Sequence, residues 1–164
     1  MRSRRTRTIA VGGMLALTMS LTAAVALAKS EDKSTGGVGF TTMAGGSAHA
    51  SFNAHDTLTS PEPDKGRVNV RGVGMGDIFY KGNVDCYQRL SDNSARFSGV
   101  VTETNHPLMF GFFEVAVEDN GSPGSSGDRI SQALFANPRD PSTCGSLTPT
   151  ALVQNGNLVV HHKP

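Results

Sequence analysis

Few side chains in this chain are spaced so that they could do chemistry, and most of them are oxygen donors. Glu118, Asp119, Asn120 and Asp128 flank a Gly-Ser-Pro-Gly stretch at positions 121–124. Calcium takes six to eight oxygens from such groups, so Asp119, Asn120 and Asp128 are the candidate metal ligands and calcium the one candidate cofactor. Against this, the spacing matches no calcium loop of understood geometry. Asn120-Gly121 is also an ordinary dipeptide of a strand-to-strand turn. Histidine is the second source of ligands or bases. His49 and His55 fall on one face of a single strand, but six residues put them roughly 20 Å apart, too far to share an ion. His161 and His162 point to opposite faces if the last strand runs that far, and His106 stands beside Pro107 in a break. Solvent-facing histidines are the reading carried forward.

No Gly-x-Ser-x-Gly elbow, His-Glu-x-x-His helix or fixed carboxylate pair is present. A catalytic site would have to assemble from distant strands, with Asp85, Glu103, Glu114 and His49 as the groups to watch and no catalytic residue assigned. The two cysteines, Cys86 and Cys144, lack the neighbouring base a thiol nucleophile needs. They are read as an intramolecular disulfide. Closing a loop between positions 58 apart restricts the unfolded chain by roughly 4 kcal/mol in the entropy model.

The elements that must position these groups are strands. From Val38 onward the chain reads as short alternating stretches broken by Gly, Pro, Asn and Asp, with no three-turn window of helical period. The clearest strand is 47–55, where Ala48, Ala50, Phe52 and Ala54 alternate with Ser47, His49, Ser51, Asn53 and His55. A weak strand at 38–43 precedes it. Strands at 67–71 (Val68 and Val70 inward), 77–88 (Ile78, Tyr80, Val84 and Cys86 on one face, so the cysteine points inward) and 95–103 follow. Then come the most apolar strand, 110–119, a strand at 128–135 and a closing strand at 156–161. Glu114, in the apolar strand, requires solvent or a partner.

About eight short antiparallel strands make an all-β domain. A small closed β-barrel is preferred to a two-layer β-sandwich, because seventeen glycines beyond position 28 supply the corners and bends that closure needs. If Phe52, Tyr80, Phe97, Phe113 and Val115 fill the interior, a ligand site has to be sought on the outer surface. If they leave several hundred Å³ open, the barrel itself is the pocket.

Several blocks occur in a recognisable order: Gly82-Asn83-Val84-Asp85-Cys86, Gly99-Val100-Val101-Thr102, Val117-Glu118-Asp119-Asn120-Gly121-Ser122-Pro123-Gly124, Asp128-Arg129-Ile130-Ser131 and Gly156-Asn157-Leu158-Val159-Val160-His161. From about Gly46 to His161 the chain resembles an uncharacterised family of small exported actinobacterial proteins. The resemblance implies export and a compact β domain, and it transfers no catalytic residue.

The N-terminal segment points the same way. Arg2, Arg4, Arg5 and Arg7 precede a largely apolar stretch, and Ala26-Leu27-Ala28 has the small-x-small form of a signal-peptidase site. Residues 1–28 are read as a helical signal peptide cleaved after Ala28, 29–37 as a flexible leader and 38–164 as one β domain. Loss of four arginines from fifteen Lys plus Arg leaves eleven against fourteen Asp plus Glu, a formal balance of −3. The remaining basic residues, Arg67, Arg71, Lys81, Arg89, Arg96 and Arg129 among them, are scattered one or two per segment, so nucleic acid is not expected as a partner. No cysteine offers a lipid attachment point and the apolar run is too short to anchor, so no stable membrane anchor is expected after cleavage. Oligomeric state is left open. The chain is therefore expected to be a secreted, extracellular, non-catalytic domain that binds a ligand, glycan or protein. A small hydrolase or isomerase using the polar His49, Asn53 and His55 face is the alternative.

Overall fold

A computed structural model describes residues 31–42, 45–57, 63–73, 78–106, 111–121, 127–135 and 144–162. The signal segment 1–28 lies outside the described residues. Eight strands follow one another as an antiparallel meander: β1 (Lys33–Thr41), β2 (Ser47–His55), β3 (Lys65–Val73), β4 (Phe79–Ser91), β5 (Ser94–Thr104), β6 (Phe112–Glu118), β7 (Arg129–Phe135) and β8 (Ala151–His161). The sheet closes into a barrel when β1 pairs with β8 from Lys33↔His161 to Phe40↔Val153. The all-β barrel expected from the alternation is the architecture found, and closure removes the open edges a flat sheet would present.

The interior is packed solid. Phe97, Phe113, Val115, Val117 and Ile130 are fully buried, and the Phe52 and Phe97 rings stack at 5.2 Å between centroids. Tyr80 leans on Phe113 at 6.1 Å. Room for these rings comes from residues that have no side chain. A Cβ at Gly82 would strike the Phe113 ring and stand 2.8 Å from the Val100 carbonyl oxygen. Interiors packed at crystal-like density have no slack for such an atom.

The same logic corrects the leader. Lys33 to Gly37 is the first half of β1, so order begins five residues before the Val38 start that composition suggests. Its small residues are what the barrel requires there. A Cβ at Gly36 would lie 2.7 Å from the Phe52 ring, and Ser34 is fully buried with its hydroxyl 2.9 Å from the Tyr87 phenol oxygen. Burial, the dominant influence, pushes the Tyr87 hydroxyl up to about 12.

Two bulges correct two further expectations. In β4 the register slips between Val84 and Cys86, so Val84 and Tyr87 both face inward although three residues apart. Cys86 therefore points outward, not into the core, because an extra residue in a strand reverses which face every later side chain occupies. In β8 a second slip, opposite Gly39 and Phe40, separates inward Val153 from inward Leu158. That broken alternation hid the front half of β8, which starts at Ala151, not at 156.

Outward Cys86 forms a disulfide with Cys144. The bond holds residues 144–150 as a strap across the outer faces of β5 and β6. Arg96 donates to the carbonyls of Leu147, at 2.9 Å, and of Gly145, while the Leu147 N–H donates to a Glu114 oxygen. Arg96 and Glu114 are 3.6 Å apart with side chains 12% and 5% exposed. Glu114 thus finds its partner under the strap, where an unpaired carboxylate would be costly.

Two outcomes follow from this packing. Gly82→Ala should lose about 1–3 kcal/mol of stability, read as a lower denaturant midpoint with an unchanged slope. Replacing both cysteines by serine should lower stability by up to roughly 4 kcal/mol and make the 144–150 strap the first segment to exchange its amide protons.

Candidate functional site

With the core filled, the described residues leave a small recess at the end where β2 begins. It holds about 120 Å³ between Thr42, Ala48, Ile78, Tyr80, Gln132 and Leu134, and Tyr80 Oη donates to Gln132 Oε1 at 3.0 Å across it. Burial holds the Tyr80 hydroxyl far above its ordinary range, so it remains a neutral donor. The recess is well below the 300–1,000 Å³ of ordinary small-molecule sites.

The oxygen-rich turn is a fastening. Asp119 accepts from the N–H groups of Gly121 at 2.9 Å and Val160 at 3.1 Å, and Asp128 accepts from the Asn120 N–H at 3.0 Å. The Asn120 amide donates to the Gly127 carbonyl at 2.6 Å and accepts from the Asn93 amide at 3.2 Å. These bonds brace the shortest seam of the barrel, where β7 and β8 share only the pairs Arg129↔Leu152 and Ile130↔Ala151. Among the described residues no group of three or more His, Cys, Asp or Glu is arranged to hold a metal. Asp128 is wholly buried, its Oδ2 meets no hydrogen-bond donor, and burial raises its carboxyl above the ordinary value.

The catalytic candidates occupy separate places. Glu103 is paired with Lys81 at 2.7 Å, Glu114 is enclosed by the strap, and Asp85 sits in the β4 bulge. His49 stands opposite Gly39 and Arg71 on its flanking strands. His162 departs from the solvent-facing reading: its side chain is 6% exposed, with Nδ1 3.6 Å from Asp32 Oδ2.

What the register does bring together is a polar face on the outside of five consecutive strands, β8-β1-β2-β3-β4. Reading across the strands gives four rows: His161, Lys33, His55 and Lys65; then Val159, Thr35, Asn53, Arg67 and Asn83; then Asn157, Gly37, Ser51, Asn69 and Lys81; then Asn155, Gly39, His49, Arg71 and Phe79. Two depressions lie in this face. One, of about 530 Å³, is bordered by Ser51, Asn53, Arg67, Asn69, Lys81 and Asn83. The other, of about 280 Å³, is bordered by Gly37, His49, Ser51, Asn69, Arg71 and Asn155. Ser51 and Asn69 belong to both, so the two run into one another. Asn69 Oδ1, at the junction, is buried without a hydrogen-bond partner.

Side chains of this set alternate with Val68 and Val70 in β3 and with the alanines in β2, so each strand displays its polar half by simple period two. Arg67, Asn69, Arg71 and Asn155 were not singled out from sequence as site residues. The signal available was the polar alternation itself, and what it lacked was the cross-strand register that makes separate segments one surface. The face can donate from guanidinium and amide groups and accept at amide and hydroxyl oxygens. Among the described residues its rows carry no carboxylate, and Asp85 on β4 stands at its edge, one residue past the Val84↔Gly66 pair.

An antiparallel eight-stranded closed barrel with a filled core and a polar outer face is the class of protein that fold and site define. Comparison with protein-family models, with curated proteins and with solved structures finds no match to this chain.

The Asp128 environment gives a signed expectation. A carboxyl whose folded-state value is raised binds its proton more tightly when folded, so stability falls as pH rises from the unfolded value through the folded one. Asp128→Asn keeps an acceptor for the Asn120 N–H and removes the buried charge. It should therefore be more stable than the parent near pH 7 by about 1 kcal/mol, the gain disappearing below about pH 3.5 where both forms are neutral. Thermal melts across pH read this directly.

Proposed function

We propose that this chain is an exported, non-catalytic binding module whose ligand lies against the outward face of β8-β1-β2-β3-β4, with the rigid barrel as its platform. The observation that carries this reading is the contrast in available space. The interior is closed by Phe97, Phe113 and Val115, all fully buried, while the outer face holds two confluent depressions of about 530 and 280 Å³. Rigid strands hold such a surface with little ordering to be done on binding, which favours affinity from modest contacts.

Export is supported by the basic start, the apolar stretch and the Ala26-Leu27-Ala28 site, and by a disulfide that suits an oxidising compartment. Among the described residues His49 stands opposite Gly39 and Arg71 with no carboxylate in its row, which supports a binding role over acid–base chemistry.

The test is a titration of the isotope-labelled mature domain with a panel of polysaccharides, peptides and small metabolites, followed by two-dimensional NMR. Shifts confined to the amides of Ser51, Asn53, Asn69, Arg71 and Asn83 are the expected result. Shifts centred on Tyr80, Gln132 and Leu134 would return the site to the barrel mouth, and silence across the panel would overturn the binding role.

A further inference from the structure

Resting on that reading, we infer that the ligand is a linear acidic polysaccharide bearing carboxylate groups, held by Arg67 and Arg71 across a floor formed by Gly37 and Ser51. Charge is the first observation. The outward positions of β1, β2 and β3 from Lys33 to Arg71 include two lysines, two arginines and two histidines and not one carboxylate. The acids nearest this area stand at its borders: Asp32, Asp56 and Asp64 beyond the strand ends, Asp85 on β4 one residue past the Val84↔Gly66 pair, and Glu103 paired with Lys81. Elsewhere on the barrel arginines are matched with acids, as Arg89 is with Asp92, Arg96 with Glu114 and Arg129 with Glu118. Arg67 and Arg71 make no ion pair with any described carboxylate. A surface of one sign inside a chain whose mature net charge is negative is a local field aimed at an anion.

Spacing is the second observation. Arg67 and Arg71 project from the same face of β3 four residues apart, about 13 Å by strand rise, with Asn69 between them. The planar guanidinium fork fits a carboxylate in a bidentate manner, while an amide donates and accepts at once, as a sugar hydroxyl requires. Cation, amide and cation in line match a chain that presents anionic groups separated by hydroxyl-bearing stretches. Asn69 Oδ1, buried and without a partner at the junction of the two depressions, is the acceptor such a hydroxyl would satisfy.

The third observation is what the face lacks. A Cβ at Gly37 would meet nothing within 4 Å, so a ligand can approach the β1 backbone closely there. No aromatic ring occupies the centre. Phe79 lies at the border with the Lys81 ammonium 5.8 Å from its ring centroid. Single-stranded nucleic acids are held largely by base stacking on aromatic rings, and this face offers them no platform. Arginines that are scattered along the sequence thus become one cationic surface without becoming a nucleic-acid site.

Polygalacturonate, its fully methyl-esterified form, oligothymidylate and polyglutamate are the probes for calorimetric titration, each repeated at low and moderate salt. Polygalacturonate should bind at least tenfold more tightly than the ester and than either other polyanion, and lose several-fold in affinity between roughly 50 and 200 mM salt. Arg67→Gln with Arg71→Gln should lower that affinity at least tenfold without changing the melting temperature, because both side chains are exposed. Arg129→Gln, on β7, should leave it unchanged. Equal binding of the ester at the same residues would overturn the acidic ligand and leave the outer-face binding role standing. Preferred binding of oligothymidylate or polyglutamate would replace the polysaccharide by another polyanion and overturn this inference. No binding by any probe, with no NMR shift on this face across the wider panel, would remove both.

Discussion

Closure of the sheet by β1 against β8 is the constraint on which the rest of the structure depends. Strands separated by almost the whole domain must meet in register from Lys33↔His161 upward, and the barrel so formed has a fixed and small interior. Rings from Phe52, Phe97 and Phe113 can share that interior only if the opposing positions are Gly36 and Gly82. Ser34 is small for the same reason, and its hydroxyl satisfies the buried Tyr87 phenol. A segment that looks like a linker is thereby the strand that completes the fold. Such non-local pairing carries the largest loop-closure entropy of the barrel's strand pairs, since β1 and β8 lie at opposite ends of the domain.

A filled, closed barrel leaves its outer wall as the place for variation, and the wall is divided between two uses. On β5 and β6 it is covered by the strap, with the Arg96 and Glu114 charges neutralising one another beneath it. On β8-β1-β2-β3-β4 it is polar, and its arginines Arg67 and Arg71 are exposed and make no ion pair with a described carboxylate. Charge is neutralised internally on one side and displayed on the other, which distinguishes the two faces without any loop insertion.

The parts of this architecture visible in the sequence are those written in period two. The strand Ser47–His55 reads directly from its alanines and Phe52, and the inward sets Phe97-Val101 and Phe113-Val117 follow from the same alternation. What escaped was whatever breaks or exceeds that period. The extra residue in β4 turned Cys86 to the outside, and the one in β8 concealed Ala151 to Asn155. Lys33 to Gly37 has a leader's composition because the core needs small residues there. Asp119, Asn120 and Asp128 have the chemistry of ligands, yet spend most of it on backbone N–H groups at a short seam. The polar face was half legible: His49 and Asn53 stood out, but only register places them beside Arg67 and Arg71.

The outward bulge in β4 has a consequence for how the disulfide and the strand register depend on one another. In the folded barrel Cys86 meets Cys144 because β4 adopts its slipped register against β5; in the unslipped alternation its side chain would face the interior, away from the 144–150 strap. The native bond and the slipped register therefore imply one another: a folded copy with the fourth and fifth strands paired out of step would enclose the Cys86 thiol, and the covalent bond stabilises the copies that paired in step.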